Sequence, residues 1–304
     1  MNIDDIKTVL ILGAGNMGQQ IGFQCAASGY DVILYDVSRE LLDKAMERMA
    51  KLARNYITGQ RLDQDQADAA LTRIRTAADP QEAGETADLI SESVPEDPAL
   101  KGKIFAQFNT ICPAHTIFTT NTSSLLPSMF AEKTGRPDRF AAFHFHDTRF
   151  TSIVDIMPHP GTSEETVALI KKFAERIHQV PIVLERENNG YVFNAMFNEL
   201  LRSAQTLAAN GVAQPVDIDR AWMGVMHTVI GPFGLMDSIG IDTVYKITDY
   251  WAKQTKKPQL MANAQFLKKY VDSGQLGTKT KKGFYTYPDP EYAKPGFVSG
   301  KSGS

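Results

Sequence analysis

Three glycines near the start of the chain have the spacing of a turn that binds a dinucleotide. Gly13, Gly15 and Gly18 follow an apolar run, TVLIL, and open a helical pattern. The first glycine permits a tight turn, the second lets the backbone approach a pyrophosphate, and the third lets helix and strand pack closely. Asp36 stands 18 residues after Gly18, near the distance at which an acidic side chain reaches a ribose. This combination predicts a bound dinucleotide.

The residues around Asp36 favour NAD as that cofactor. A carboxylate accepts hydrogen bonds from both ribose hydroxyls and repels the extra phosphate of NADP. Ser38 and Arg39 follow closely and could hold that phosphate, so NADP stays an alternative. FAD fits the same turn, but the helical second half of the chain does not resemble the usual flavoprotein continuation. A turn without a ligand is the remaining alternative, and the strand-turn-helix context together with Asp36 argues against it.

The elements that must position these residues alternate between strands and helices in the first half of the chain. Short apolar runs predict strands at residues 8–12, 31–35, 74–76, 89–93, 116–120, 140–145, 153–157 and 181–184. Helical patterns follow the turn up to about residue 28 and then cover residues 38–59 and 63–73. Such an alternation predicts an α/β fold with a Rossmann-type, doubly wound, mostly parallel sheet.

The pattern becomes helical after Glu185. Residues 190–211 have the periodicity of one long amphipathic helix ended by a glycine, and further helical patterns follow until a strand-like run, FYTY, near the end. We therefore predict a NAD-binding Rossmann-like domain over residues 1–187. An all-α domain for substrate binding and dimerisation would occupy residues 188–304 and end in a flexible polar tail, GFVSGKSGS.

The composition is that of a globular protein and excludes several classes. The chain has 304 residues, 43% of them hydrophobic, and a formal net charge of -3, whereas a nucleic-acid surface is usually strongly basic. No apolar run is long enough to span a membrane, and the N-terminal MNIDDIK lacks the features of a signal peptide. Two cysteines, Cys25 and Cys112, fit a reducing compartment. We expect a cytoplasmic protein with no nucleic-acid or membrane partner.

Several spaced motifs resemble the 3-hydroxyacyl-CoA dehydrogenase family. In the middle of the chain they are ESVPED at residues 92–97, TNTSSL at 120–125 and RPDRFAAFHF at 136–145. The second half adds NNGYVFNAMFNELL, GVAQPVDIDRAW, IGPFGLMDSIGIDT and LGTKTKKGFYTY in the family's order. The resemblance covers residues from about 7 to 287, and its wider superfamily includes enzymes that act on small acids, such as gulonate and carnitine dehydrogenases.

Carried over onto these motifs, the resemblance implies a set of cofactor contacts. The family places the glutamate of its PED-like motif, here Glu96, near the nicotinamide ribose. A lysine five residues on, here Lys101, contacts the same side of the cofactor. Asn121 and Ser123 of TNTSSL and Met17 of the glycine turn complete the implied set.

The resemblance also implies which side chains act on the substrate. The histidine of the family's RF-x3-HF segment is the catalytic acid and base, here His144, and Ser123 lies near the substrate oxygen. Asn194, four residues after the glycine of a PGF-like motif, contacts the substrate. Histidine suits the proton transfer because its ordinary pKa of about 6.5 lies near the working pH. Without the family pattern, a histidine on an apolar strand is more often a packed core residue.

The loop after His144 departs from the family's pattern. The family reads HFFNP followed by a glutamate, whereas this chain reads HFHDTRFTSIVDIM, with Asp147 and Thr148 in place of the asparagine-proline pair. Asp155 then takes the position of the orienting glutamate with one methylene fewer, and we expect its carboxylate to orient His144. Arg149, in the same loop, could bind a carboxylate or phosphate of the substrate.

A second histidine in this segment raises the question of a metal site. His144 and His146 share a face if the run is a strand, because alternate side chains point the same way. Together with Asp147 or Asp155 they could hold a metal ion. A metal would compete with the acid/base role of His144, and no second cluster supports one, so we expect no bound metal.

These observations predict a NAD-dependent 3-hydroxyacyl-CoA dehydrogenase of fatty acid metabolism. Its substrate would be a short-chain (3S)-3-hydroxyacyl-CoA, such as 3-hydroxybutyryl-CoA, and the family implies a homodimer through the helical domain. One alternative keeps the hydride transfer but replaces the thioester by a small free hydroxy acid. Another, from a different class, is a non-catalytic NAD-binding protein, which the altered loop suggests and the retention of Ser123, His144 and Asn194 opposes.

Overall fold

One eight-stranded sheet forms the centre of the first part of the chain in a computed structural model that describes residues 1–300. The strands are β1 (Thr8–Leu12), β2 (Asp31–Tyr35), β3 (Ile74–Ala77), β4 (Leu89–Glu92), β5 (Ile117–Thr120), β6 (Phe140–Phe145), β7 (Ile153–Pro158) and β8 (Val180–Val183). Their order is β3-β2-β1-β4-β5-β6-β7-β8. Neighbours among β1 to β6 pair in parallel, β7 is antiparallel to β6, and β8 is parallel to β7. The first six strands have the order of a dinucleotide-binding fold, which confirms the predicted fold class.

Helices cover both faces of this sheet. They are α1 (Asn16–Ala27), α2 (Arg39–Thr58), α3 (Gln64–Thr72), α4 (Pro80–Gly84), α5 (Pro98–Asn109) and α6 (Glu164–Arg176). Alternate residues of β1 enter opposite cores: Val9 and Ile11 join one, and Leu10 and Leu12 join the other. Because both faces are covered, the central strands are apolar throughout instead of alternating.

The second part of the chain is helical. Its helices are α7 (Phe193–Ala209), α8 (Pro215–Met226), α9 (Pro232–Ile239), α10 (Ile241–Thr255) and α11 (Pro258–Asp272). Their core includes Leu201, Phe233 and Leu267. The strand-like run FYTY forms no strand; Thr286 within it makes an isolated antiparallel bridge to Lys282. The structure thus confirms the predicted fold class, in which a helical second half follows a mostly parallel sheet.

The chain divides into two compact units, Met1–Val192 and Phe193–Ser304. Residues 301–304 of the predicted flexible tail lie outside the described residues. Phe297, earlier in that segment, is buried, and Arg220 Nε donates a hydrogen bond of 2.8 Å to its carbonyl oxygen. Within the described residues, no helix has the length and apolar character needed to cross a membrane.

Candidate active site

The three glycines of the turn between β1 and α1 differ in whether the surrounding structure would admit a side chain. Gly13 has a φ of +104°, and a Cβ there would lie 2.8 Å from the carbonyl oxygen of Ser93. A Cβ on Gly18 would lie 2.0 Å from the carbonyl oxygen of Gly13, so the helix meets the turn only with glycine at that position. A Cβ on Gly15 would meet nothing within 4 Å. The fold therefore requires the first and third glycines, and the space beside the second is open.

The open space lies at the N-terminus of α1. Gly15 is the N-cap residue of this helix and provides no side-chain cap, whereas Ser38 caps α2 and Asp97 caps α5. The first amides of α1 can therefore bind an anion, and the helix dipole favours negative charge there. Met17 in the first turn is half-buried and packs against the core. These features fit the pyrophosphate of a dinucleotide.

Asp36 lies directly after β2 and beside the glycine turn. Its Oδ2 accepts a hydrogen bond of 3.0 Å from the amide of Ala14, and its Oδ1 accepts one of 3.1 Å from the amide of Ser38. The side chain is half-exposed. A carboxylate held in this way keeps lone pairs for ribose hydroxyls, as the spacing in the sequence predicts.

A buried ion pair, which sequence reasoning missed, lies below the TNTSSL loop. Lys101 Nζ lies 2.6 Å from Glu92 Oε1 and 3.3 Å from Glu96 Oε2, and the side chains of Lys101 and Glu92 are 1% and 0% exposed. Thr120 Oγ1 donates to Oε2 of Glu92 at 2.6 Å. Burial raises the pKa of Glu92, and the charge of Lys101 together with these hydrogen bonds opposes the rise. Lys101 thus links Glu92, at the end of β4, to the carboxylate of Glu96, which holds the TNTSSL loop.

Glu96 organises the loop that carries Ser123. Its Oε1 accepts hydrogen bonds from Thr122 Oγ1 at 2.5 Å, from the amides of Ser123 and Ser124 at 3.1 Å each, and from Ser124 Oγ at 2.9 Å. Burial acts to raise the pKa of Glu96, but the hydrogen bond from Thr122 and the charge of Lys101 hold it below its ordinary value. Ser123 is exposed. A fixed, ionised Glu96 therefore presents the Ser123 hydroxyl to solvent.

Asn121 connects this loop to the strand that carries His144. Its side-chain Oδ1 accepts a hydrogen bond of 2.8 Å from the backbone amide of Phe145. Its backbone amide donates to the backbone carbonyl of Glu92 at 2.8 Å. β1, β4, β5 and β6 run parallel, so the glycine turn, Glu96, the loop and His144 all lie near the same edge of the sheet. Ligands of such sheets bind at the carboxyl edge of the strands.

The structure brings His144 and Asp155 together. The antiparallel register of β6 and β7 pairs the two residues, and His144 Nδ1 lies 3.1 Å from Asp155 Oδ2. Both are buried. Burial acts to raise the pKa of Asp155, but the hydrogen bonds from His144 and His146 bring it below its ordinary value. Since an ionised carboxylate only accepts, Nδ1 of His144 carries a proton and Nε2 remains free to exchange one.

Two further side chains hold the His144 ring, and the sequence identified neither in this role. His146 Nε2 lies 3.1 Å from Asp155 Oδ2, the same oxygen that His144 uses. The Tyr191 ring stacks on His144 with centroids 4.6 Å apart and planes at 13°. The Tyr191 hydroxyl donates to the carbonyl of Thr122 at 2.5 Å. The alternation of His144 and His146 is the sequence signal for the first contact; the second joins residues 47 positions apart and has no local signal.

The donor atoms of His144, His146 and Asp155 all lie within 4.8 Å of one another, a spacing that also admits a metal ion. Here both histidines hydrogen-bond to the carboxylate. Asp147, the other acid considered from the sequence, instead pairs with Arg149. The expectation that this site binds no metal stays a prediction.

Arg149 is held by its neighbour and borders a basic cavity. Its Nε and one terminal nitrogen contact the two oxygens of Asp147 at 2.8 and 2.5 Å. The hydrogen bond from Arg149 lowers the pKa of Asp147. Arg149, Arg48 and Lys51 line a cavity of about 220 Å³ beside the start of α1. The cavity concentrates positive charge, as a site for a substrate anion requires.

Asn194 lies in the first turn of α7, in the second unit, and is half-buried. Its implied role as a substrate contact stays a prediction.

Comparisons with known proteins point to one family. Residues 8–188 match the NAD-binding domain of 3-hydroxyacyl-CoA dehydrogenase, and residues 190–287 match the C-terminal domain of the same enzyme. A probable 3-hydroxyacyl-CoA dehydrogenase of Caenorhabditis elegans is 33% identical over 291 residues, which cover 94% of this chain and 97% of that protein. A probable 3-hydroxybutyryl-CoA dehydrogenase of Bacillus subtilis is 32% identical over 287 residues, with 94% and 99% covered.

Solved structures agree with these matches. A diketoreductase that acts on dicarbonyl compounds aligns with a TM-score of 0.86 and 37% identity, covering 93% of this chain and 99% of that one. The (S)-3-hydroxybutyryl-CoA dehydrogenase of Ralstonia eutropha aligns with a TM-score of 0.84 and 29% identity, covering 94% and 100%. The matches confirm the family resemblance and NAD as the cofactor.

Proposed function

This chain belongs to the 3-hydroxyacyl-CoA dehydrogenase family, and from that premise we propose that it interconverts a (3S)-3-hydroxyacyl-CoA and a 3-ketoacyl-CoA with NAD. The substrate is a short-chain thioester such as 3-hydroxybutyryl-CoA, as in the relatives of that name. One observation carries the proposal: a buried histidine, oriented by a carboxylate, lies at the sheet edge that also carries the dinucleotide turn.

The chain's own residues fit NAD. The amides at the start of α1 would hold the pyrophosphate beside Gly15, and Asp36 would accept the adenosine ribose hydroxyls. Glu96 and Lys101 would lie toward the nicotinamide ribose, with Met17 and Asn121 as further contacts. Bound NAD would supply the hydride acceptor for oxidation of the alcohol, and NADH the hydride donor for the reverse reaction.

His144 moves the proton of the reaction. In oxidation its Nε2 takes the hydroxyl proton while Nδ1 keeps its hydrogen bond to Asp155; in reduction the same proton returns to the carbonyl oxygen. The negative charge of Asp155 stabilises the imidazolium that forms. The Ser123 hydroxyl would hold the substrate oxygen as its charge changes. Each role uses an atom that can donate or accept as the step requires.

The basic cavity beside α1 supports an acyl-CoA substrate. Its three cations, Arg48, Lys51 and Arg149, can neutralise phosphate groups of the coenzyme. Arg149 would share its charge between Asp147 and that anion, since its guanidinium has five N–H donors.

A second candidate substrate class has its own support. The diketoreductase is 37% identical to this chain and acts on dicarbonyl compounds, and the loop with Asp147 and Arg149 is more polar than the family's asparagine-proline pair. Reduction of a free dicarbonyl compound, or oxidation of a small free hydroxy acid, would use the same proton transfer by His144.

A panel of substrates tests the proposal. Acetoacetyl-CoA, free acetoacetate and a diketone are each mixed with enzyme and NADH, and loss of the reduced-cofactor absorbance is followed. We expect turnover of acetoacetyl-CoA with the largest kcat/KM. A larger value for either free compound would favour the second candidate. If NADH binds but no substrate reacts, the chain is a non-catalytic NAD-binding protein, and the proposed activity is wrong.

We also propose a cytoplasmic homodimer that works in fatty acid metabolism. Large apolar side chains are exposed on the helical unit, among them Val225, Val229 and Trp251, and burial against a second copy would remove them from water. Cys25 and Cys112 are both unpaired, which supports a reducing compartment. Sedimentation equilibrium measures the mass in solution, and a monomer at micromolar concentration would contradict the dimer.

A further inference from the structure

We propose that His146 is a positioning residue for His144: it donates to the same carboxylate oxygen and thereby sets the pH range in which the alcohol is oxidised. The inference rests on the proposed function and adds to it a residue that acts on His144 through their shared partner Asp155. The resemblance implies a phenylalanine at this position, within HFFNP, so the histidine is a feature of this chain.

The strand geometry explains how one oxygen serves both rings. His144 lies directly opposite Asp155 in the register of β6 and β7 and reaches it with its near nitrogen, Nδ1, at 3.1 Å. His146 follows the end of β6 on the same face and reaches the oxygen diagonally with its far nitrogen, Nε2, also at 3.1 Å. A diagonal neighbour is farther away along a strand pair, so the longer arm is required. The ring centroids of the two histidines are 4.7 Å apart.

The shared oxygen fixes both tautomers. An ionised carboxylate only accepts hydrogen bonds, so His144 donates from Nδ1 and His146 donates from Nε2. The second donor stabilises the charge of Asp155, so this carboxylate gains less from a positive charge on His144. His146 therefore weakens the attraction by which Asp155 holds a proton on His144.

The other charged groups near the two rings are in ion pairs, with one lysine shared between two glutamates. Glu92 and Glu96 face Lys101, and Asp147 beyond β6 faces Arg149. Tyr191, which packs on His144 from the segment before α7, stays neutral because burial raises the pKa of its phenol. These groups are the same in every variant at position 146, so a difference between such variants reports the hydrogen bond from His146 to Asp155. Protonation of His146 would add a second positive charge beside His144 and oppose its protonation further.

The direction of the effect follows. Oxidation requires His144 without the proton on Nε2, so the rate falls at low pH. Removing the second donor strengthens the hold of Asp155 on a proton at His144, and the acid limb of the oxidation profile moves to higher pH. A move of about one pH unit corresponds to about a tenfold loss of rate on that limb. Reduction, which needs the proton, would extend to higher pH by the same amount.

Two variants test the proposal in the full-length enzyme. His146→Phe removes the donor, and His146→Gln is the matched control because its amide nitrogen can occupy the place of Nε2 without adding charge. We measure kcat/KM for 3-hydroxybutyryl-CoA oxidation from pH 5 to 9, with the thermal midpoint and NAD affinity as controls for folding. We expect the acid limb of His146→Phe to move up by about one pH unit and that of His146→Gln to stay close to wild type. Unmoved limbs in both variants, or equal moves in both, would overturn the proposal.

A second measurement separates this inference from the proposed activity. Imidazole nitrogen NMR follows the titration of His144 in the protein without any substrate, with His144→Asn used to assign the signal. The midpoint should move upward in His146→Phe whether or not a thioester is turned over. An unchanged midpoint refutes the coupling between the two histidines. A moved midpoint without turnover of any substrate refutes the proposed activity and leaves the coupling in place.

Discussion

Replacing Asp155 by asparagine measures what the carboxylate does for His144. The substitution keeps the size of the side chain and removes its charge at a buried position, 3.1 Å from His144 Nδ1. At that separation and an effective dielectric constant of about 20, the attraction of a carboxylate for an imidazolium is at most about 5 kcal/mol. A hydrogen bond to a charged group contributes about 1.5–3 kcal/mol net, which is about a ten- to 150-fold change in rate.

We expect Asp155→Asn to lower kcat/KM for oxidation within that range at pH 7. The amide can also turn its NH₂ group toward Nδ1, which would favour the tautomer with the proton on Nε2 and add to the loss. Asp155→Glu is the matched control, because it restores the charge on the side chain that the family resemblance implies here. The assay follows NADH formation from 3-hydroxybutyryl-CoA, and NAD affinity and the thermal midpoint report folding. A folded Asp155→Asn enzyme that keeps more than half of the wild-type kcat/KM would refute the reasoning.

Three further predictions concern the cofactor turn and the loop. Gly15→Val should weaken NAD binding at least tenfold with little change in thermal midpoint, whereas Gly18→Ala should lower the midpoint because its Cβ would lie 2.0 Å from a carbonyl oxygen; equal midpoints by calorimetry would contradict this contrast. Asp36→Ala should raise KM for NAD about tenfold and reduce discrimination against NADP, and an unchanged NAD/NADP ratio of kcat/KM would show that Asp36 does not bind the ribose. Glu96 has a folded-state pKa below the reference value of 4.5, so its stabilisation is present above about pH 4.5 and is lost as the pH falls through the folded value. Wild type should therefore unfold at higher urea concentration than Glu96→Gln at pH 7, the difference should shrink below pH 4, and a constant difference across this range would contradict the assignment.

The elements of the fold could be predicted because their signals are local. The strands β1, β2 and β6 are apolar runs that begin and end within a residue of the predicted bounds. The conformation of the glycine turn is determined by a few consecutive residues. FYTY shows the limit of this reasoning: its residues suit a strand, but the Tyr285 amide donates to the buried carboxylate of Asp237 and no neighbouring strand is present to pair with it. A strand needs a partner, and a local pattern does not supply one.

The candidate site was only partly predictable for the same reason. Glycine spacing and family motifs identified the residues of the turn, the loop and the strand end. The sequence alone therefore predicted both a dinucleotide-binding turn and an acid/base histidine. The packing decided which groups meet. The family motifs assign Lys101 to the cofactor, but only the structure shows that it lies buried against Glu92 and Glu96. His146 shares an oxygen of Asp155 only because β6 and β7 pair in one antiparallel register. The sequence determines side-chain type and, through short-range interactions, much of the local conformation. Contacts between distant residues depend on how whole helices and strands pack, and the free energy of that packing is decided by the tertiary structure.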